Sequence, residues 1–204
     1  VGALTPVTNP TATPASNAIT ILKGRNAVIF APHPAAKVSS KMAIDFMRQG
    51  LVKVGAPADL IQIIEEPSIA TTGELMKQVD IVLATGGGAM VKAAYSSGTP
   101  AYGVGPGNSV QMVAEDADVL EAVRKITLSK AFDYATSCSS ENSVIIHESI
   151  YETMIEEFEK SDCYFVKGSD RKQLEEHMWK INKKGYRSIN PGIVAKSAQV
   201  IAND

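Results

Sequence analysis

One cysteine set among small polar residues, Cys138 in FDYATSCSSENSVIIH (132–147), is the position where this sequence offers covalent chemistry. A thiolate attacks carbonyl carbon readily and leaves as readily, so such a residue can carry an acyl group between two acceptors. Thr136, Ser137, Ser139 and Ser140 surround it with hydroxyls, the polar and partly exposed setting of reactive thiols. Cysteine as a type is more often buried packing, and the local residues alone leave both readings open. Cys163 in DCYFV leads an apolar run and reads as core. His33 in PHP and His147, nine positions after Cys138, are candidate thiol bases, although both also stand where turns and strand ends place a histidine.

Two glycine loops follow apolar runs. LATGGGAMVKAAY puts Gly86, Gly87 and Gly88 between a strand and a helix start, where free backbone N–H groups and the helix dipole favour a phosphate. The pattern lacks GxxxxGK[ST], so a nucleoside triphosphate is not implied. YGVGPGN carries Gly105 and Gly107, but Pro106 interrupts it and it is a weak dinucleotide fingerprint. Asn9 in PVTNP has an amide that either donates to an anionic oxygen or forms plain turn chemistry. Lys23, Lys37 and Lys92 stand near the loops, where most lysines are simply solvated.

The elements that must position these residues alternate. VGALTPV, NAVIFAP, LIQIIEEP, VDIVLATGGG and PAYGVGPGN read as strands, the second continuous enough to be buried on both faces. Between them fall helices. The first carries Ala15, Ala18, Ile19 and Leu22, with Pro14 in its first turn and Gly24 at its end. The second is SSKMAIDFMRQGLVKVG, with Met42, Ile44, Phe46, Met47 and Leu51 as apolar residues and Ser39 or Ser40 as cap. TTGELMKQ and AMVKAAYSSG complete the set. This alternation predicts an α/β fold with a doubly wound parallel sheet and right-handed crossovers. Ligands bind such sheets at the carboxyl ends of the strands, where TNP, PHP, TGGG and GPGN all fall. Beyond a boundary near Lys130 the sequence predicts a strand and helix in ENSVIIHESIYETMIEEFEKSD. A helix DRKQLEEHMWKIN follows, with Leu174, Met178 and Ile181 on one face, and NPGIVAKSAQVIAND reads as a last helix.

The composition is that of an ordinary folded protein: 204 residues, 45% hydrophobic and 21% charged, with a formal charge of −2 and scattered basic residues. No nucleic-acid partner is indicated. Two cysteines are too few for a disulfide framework or a four-thiolate zinc site, so no metal is expected and a reducing cytoplasm is the simplest setting. No apolar run reaches the roughly 18 residues of a membrane span, and no membrane role is expected. The sequence begins at Val1 directly in an apolar run, as a piece of a longer chain would.

TNPTATP, LKGRNAVIFAPHPAAK, LATGGGAMVKAAYSSGTPAYGVGPGN and SKAFDYATSCSSENSVII resemble, in order, successive blocks of the CoA-acylating aldehyde dehydrogenases, the group containing acetaldehyde dehydrogenase and the aldehyde half of bifunctional aldehyde/alcohol dehydrogenases. The resemblance covers nearly the whole chain. It implies a Rossmann-like domain over 1–131, its N-terminal part missing, and the start of the catalytic domain over 132–204. It also implies reversible oxidation of a small aldehyde to acyl-CoA, with NAD, or NADP in its place, as cofactor and coenzyme A as co-substrate. Cys138 matches the nucleophile, and Asn9 the amide that stabilises the oxyanion. Thr8, His33, Pro34, Thr85, Gly86, Gly87, Gly88, Gly105 and Gly107 match the cofactor-binding segments, with PHP near the adenosine ribose.

Hydrolytic members of the wider superfamily carry a glutamate where this chain has Val104 and Gly105, so the resemblance favours acyl transfer to CoA over transfer to water. Family chains are about twice as long and homo-oligomeric, which implies weak or no turnover by these 204 residues alone. Pro14 in TNPTATP resembles the sulfoacetaldehyde-type acylating enzymes, a second reading. A catalytically silent dinucleotide-binding or filament-forming module is a third, and a cysteine hydrolase using His147 a fourth.

Overall fold

The computed structural model describes residues 1–181 and 185–203. They pack as two compact units, Val1–Pro106 and Gly107–Asp204. The first is built on five parallel strands: β1 (Gly2–Thr5), β2 (Val28–Pro32), β3 (Ile61–Ile63), β4 (Val82–Thr85) and β5 (Ala101–Val104). Their order is β3-β2-β1-β4-β5. The chain moves outward from β1 to β3 and then returns to the other side of β1, so a topological switch point lies between β1 and β4. Four helices make the crossovers: α1 (Ala12–Lys23), α2 (Lys37–Lys53), α3 (Ile69–Gln78) and α4 (Gly88–Tyr95). The α/β doubly wound sheet that the alternation predicts is the one observed.

Both faces of the sheet are covered, which is why its strands read as continuous apolar runs. On one face Ala3, Val28, Phe30 and Ile61 pack with Ala18, Ile21 and Ile44 of α1 and α2. On the other, Leu4, Val82 and Ala84 pack with Leu75, Met76 and Ala94 of α3 and α4. Fully burying side chains such as Phe30 and Ile44 contributes about 1.5–3 kcal/mol each.

The inward stripes differ in detail from the sequence reading. In α1 the buried residues are Pro14, Ala18 and Ile21, while Ile19 is exposed. In α2 the stripe Ser40, Ile44, Met47 and Leu51 turns inward, leaving Met42 and Phe46 on the opposite face. A helix of 3.6 residues per turn can turn only one of two interleaved apolar stripes to the sheet. Ser40 also caps nothing, because α2 already begins at Lys37 and the serine hydroxyl is buried inside it.

Strand β5 lies at the edge of the sheet, and α4 closes over it. The Gly103 N–H donates to the Tyr95 hydroxyl at 3.0 Å, which occupies a donor that would otherwise face an open edge. A Cβ at Gly103 would lie 2.5 Å from Val91 Cγ1 and 2.9 Å from Tyr95 Cε2, so glycine is required by the close approach of α4.

The second unit begins with a strand that the sequence reading missed, β6 (Ser109–Val113). It pairs in parallel with β7 (Glu141–Ile146), and α5 (Val119–Ala131) and α6 (Tyr151–Lys160) cover one side through Val113, Val123 and Met154. The compact units therefore divide at Pro106 rather than near Lys130: β6 takes its hydrogen bonds from β7, some thirty residues further on, and α5 packs with that pair. A helix α7 (Gly168–Met178) follows.

Here the sequence reading needs correction, since the helix stops at Met178. Trp179–Ile181 forms β8, antiparallel to β9 (Arg187–Ile189), so Ile181 stands on a strand rather than a helix face. The Arg187 guanidinium lies 4.9 Å from the Trp179 ring centre, and the Asn190 side chain donates to the His177 carbonyl, fixing the reversal. The last predicted helix is two short pieces, a single 3₁₀ turn Pro191–Ile193 and α8 (Ala198–Asn203). Asn182 and Asp204, which the sequence reading places in helices, lie outside the described residues.

Candidate active site

Because the five strands are parallel, all their carboxyl ends lie along one edge of the sheet. Thr8 and Asn9 follow β1, His33 and Pro34 follow β2, Thr85–Gly88 ends β4 and enters α4, and Gly105 follows β5. The sheet thus brings these predicted residues to one edge, with β1 and β4 flanking the switch point.

Each loop is fixed by local bonds. The Asn9 carbonyl accepts from the Thr13 N–H at 3.2 Å, and the buried Ser40 hydroxyl donates to the Pro10 carbonyl at 3.0 Å. The turn carrying Asn9 is therefore tethered at both the backbone and α2, while no bond among the described residues engages the Asn9 amide. His33 Nδ1 accepts from the Ala35 N–H at 3.2 Å and caps the 3₁₀ turn Pro34–Ala36. Its backbone N–H donates to the Thr5 carbonyl at 3.0 Å, tying the end of β2 to the end of β1.

At the third loop, the Gly86 N–H already donates to the Val104 carbonyl at 3.1 Å. Among the described residues nothing engages the N–H groups of Gly87, Gly88 or Ala89, and Gly87 caps α4 without a side-chain bond. Three free donors at a positive helix end suit one phosphate of a dinucleotide. A Cβ at Gly87 or Gly88 would meet nothing within 4 Å, so these glycines leave an open approach and are not dictated by packing. Lys37, by contrast, is paired with Glu66 at 2.6 Å.

Cys138 belongs to the second unit and is exposed. It sits in a turn closed by the Ser140 N–H donating to the Ser137 carbonyl at 3.1 Å, with the hydroxyls of Ser137 and Ser139 bonded at 2.9 Å. Thr136 Oγ1 bonds the Asp133 carbonyl at 2.7 Å and the Asp133 carboxylate at 2.6 Å. Just before the turn, Asp133, Tyr134 and Ala135 take φ values of 51°, 50° and 60°. Three successive non-glycine residues in the left-handed region mark strained backbone of a kind that gathers at functional sites.

Gly107 lies at this turn. A Cβ there would stand 2.7 Å from the Cys138 carbonyl oxygen, so this glycine admits the Cys138 backbone. His147 does not approach Cys138 along the chain: neither is on β7, whose six residues lie between them, a rise of roughly 20 Å. It caps the next turn instead, with Nδ1 2.9 Å from the Ser149 hydroxyl. Cys163 is half-buried, its sulfur 3.7 Å from Thr127 Oγ1. Among the described residues no cluster of His, Cys, Asp or Glu could hold a metal ion, and no helix is long and apolar enough to cross a membrane.

Sequence reasoning named Ser140 as a hydroxyl beside Cys138 but missed that it closes the turn, and it missed Lys130 and Glu141 as neighbours of that residue. Lys130 Nζ lies 3.5 Å from Ser140 Oγ and 3.4 Å from Asn142 Oδ1. Their only sequence signal is closeness to Cys138.

The model of the aldehyde dehydrogenase family matches residues 1–173, which takes in the five-stranded sheet, the open glycine loop and the Cys138 turn. The chain belongs to the aldehyde dehydrogenase family. Among its relatives, the sulfoacetaldehyde dehydrogenase of an Acholeplasma species is 74% identical over 203 residues, all of this chain and 42% of that protein. The acylating sulfoacetaldehyde dehydrogenase of Bilophila wadsworthia is 59% identical, again over the whole chain and 44% of its own length. Among solved structures, a propionaldehyde dehydrogenase of Rhodopseudomonas palustris with bound CoA and an acylated cysteine superimposes with a TM-score of 0.88. It is 34% identical, and the match covers 99% of this chain and 46% of that one. The chain thus spans less than half the length of these aldehyde dehydrogenases. The resemblance to the acylating branch that the sequence blocks carry is matched by these relatives.

Proposed function

We propose that the protein containing this chain oxidises an aldehyde with NAD(P)⁺ and coenzyme A, giving acyl-CoA, NAD(P)H and a proton, and that the reaction is reversible. The observation that carries the reading is the exposed Cys138 in a tight hydroxyl-rich turn, within a chain similar throughout its length to acylating aldehyde dehydrogenases. The Cys138 thiolate adds to the aldehyde carbon, forming a C–S bond and a tetrahedral oxyanion. The Asn9 amide and the backbone N–H at Cys138 are the donors we assign to that oxyanion, and removing one such donor typically costs about 2.7–4 kcal/mol of transition-state stabilisation. The nicotinamide supplies hydride acceptance when bound. Loss of hydride from the tetrahedral carbon leaves a thioester on Cys138, and the thiolate of coenzyme A displaces Cys138 from it.

The free N–H groups of Gly87, Gly88 and Ala89 fit a dinucleotide phosphate, and we assign Thr8, His33, Pro34, Thr85, Gly86 and Gly105 to the same cofactor edge. Gly107 acts with Cys138 instead, through the close approach described above. Val104 and Gly105 supply no carboxylate to activate water, which favours coenzyme A as acyl acceptor.

Sulfoacetaldehyde is the substrate we favour, because both relatives with the higher identities carry that name. We place the protein in the cytoplasm as a homo-oligomer. The test is acylation of the full-length protein by acyl-CoA, followed by intact mass, with Cys138→Ala beside the wild type. An adduct lost only in the variant supports the thioester; an adduct that persists in the variant, or none in either protein, overturns it. An aldehyde panel with and without a sulfonate then ranks the substrates.

A further inference from the structure

Strand β7 begins with an irregularity three residues after the nucleophile. Ser109 pairs with Glu141, but Val110 pairs with Ser143, so Asn142 is an extra residue on β7. Beyond this bulge Val144 and Ile146 face α5 and α6, while Ser143 and Ile145 are exposed. Strict alternation would put Glu141 with the exposed set. The extra residue reverses the parity and turns Glu141 to the helix-covered side, as a bulge does when it re-aims a side chain. Glu141 Oε1 is 3.5 Å from Gln111 Nε2 on that side, and Oε2 is buried and meets no donor among the described residues.

Lys130, in the last turn of α5, carries the opposite charge to the same place. Its ammonium contacts Ser140 and Asn142, the residues on either side of Glu141, and no carboxylate pairs with it among the described residues. Ser140 is 4% exposed, and its hydroxyl has no other partner among them. A buried hydroxyl needs such a partner. Ser140 also closes the turn that holds Cys138.

We infer that Lys130 and Glu141 form a charged bracket around Ser140 and Asn142 that fixes the Cys138 turn for acyl transfer, and that both are positioning residues of the reaction proposed above. The inference rests on that acylating reading. The cation contacts the residue that closes the turn, and we assign the Glu141 carboxylate beside it a longer-range attraction on that cation, since the two form no direct ion pair among the described residues. Without Lys130, the buried Ser140 hydroxyl loses its one side-chain partner among the described residues and the turn relaxes.

The test uses the full-length enzyme, mixed with sulfoacetaldehyde and NAD⁺ and followed by the NADH burst, with coenzyme A omitted. Lys130→Met and Glu141→Gln are each expected to slow the burst about tenfold, the scale on which small misplacements of reacting groups act, with NADH affinity unchanged and the fold retained by circular dichroism. Lys130→Arg restores the rate, and the double variant is no slower than the worse single one, because one bracket can be broken only once. An unchanged burst, losses that multiply, or an arginine variant as slow as methionine overturns the inference. If Lys130→Met does not fold, Ser140→Ala carries the test, with severalfold slowing expected and an unchanged rate overturning it. A wild type giving neither burst nor acyl adduct overturns the acylating reading and takes the inference with it. A normal wild-type burst with unaffected variants overturns the inference alone.

Discussion

The backbone of Gly107 meets the backbone of Cys138 so closely that a Cβ on the glycine would lie 2.7 Å from the cysteine carbonyl oxygen. That atom is backbone and cannot swing aside as a flexible side chain would. Gly107→Ala is therefore expected to displace the Cys138 turn, lowering the rate of acyl-adduct formation by roughly 10- to 100-fold while the fold persists. Intact-mass time courses with acyl-CoA, beside circular dichroism, check this.

The start of α4 offers a second prediction in which two effects of one charge oppose each other. An acidic residue in the first turn of a helix stabilises it by about 0.3–1 kcal/mol, yet repels a phosphate bound at the same N–H groups. Ala89→Glu is thus expected to raise the melting temperature slightly and to weaken NADH binding about tenfold, given the scale of such charge placements. Fluorescence titration with NADH measures the second effect; unchanged affinity would remove the phosphate from this helix end.

Strain before Cys138 gives a third. Ala135 has a φ of 60°, which costs an L-residue about 1–2 kcal/mol and glycine almost nothing. Glycine also loses more entropy on folding, by roughly 0.5–1 kcal/mol. The difference predicts that Ala135→Gly raises stability by a few tenths to about 1 kcal/mol. Denaturant unfolding of the full-length protein tests it, and a marked loss of stability would contradict the left-handed turn.

The fourth concerns pH. Hydrogen bonds from Arg124, and then from Lys125, hold the exposed Glu121 carboxyl down to about 2, against burial acting the other way. A lowered folded value means that the contribution is present above the unfolded value near 4.5 and is lost as pH falls towards 2. Arg124→Ala should return Glu121 towards the ordinary carboxylate range and flatten that part of the stability profile. A carboxyl-carbon NMR titration reads the shift directly.

Much of the first unit was legible because its information is local. Apolar runs a few residues long, each followed by a loop of glycine, proline or asparagine, announce parallel strands and the edge at which their loops gather. What escaped was non-local. Strand β6 is recognisable only through its partner β7, some thirty residues later, and Trp179–Ile181 leaves the helical pattern only because Arg187–Ile189 lies beside it. Which apolar residues of α2 turn inward was not legible either, because two helical stripes compete and only the sheet decides which one it covers, leaving Met42 exposed.

The sequence by itself determined the element types of the first unit, the doubly wound class of its sheet and the candidate nucleophile, since each depends on residues that are neighbours along the chain. Only tertiary structure decided why Gly107 must lack a side chain and why Glu141 faces inward, with Lys130 reaching the residues beside it. Those facts arise from strand register and from contacts between distant segments. No local pattern of residues encodes where a distant backbone will lie.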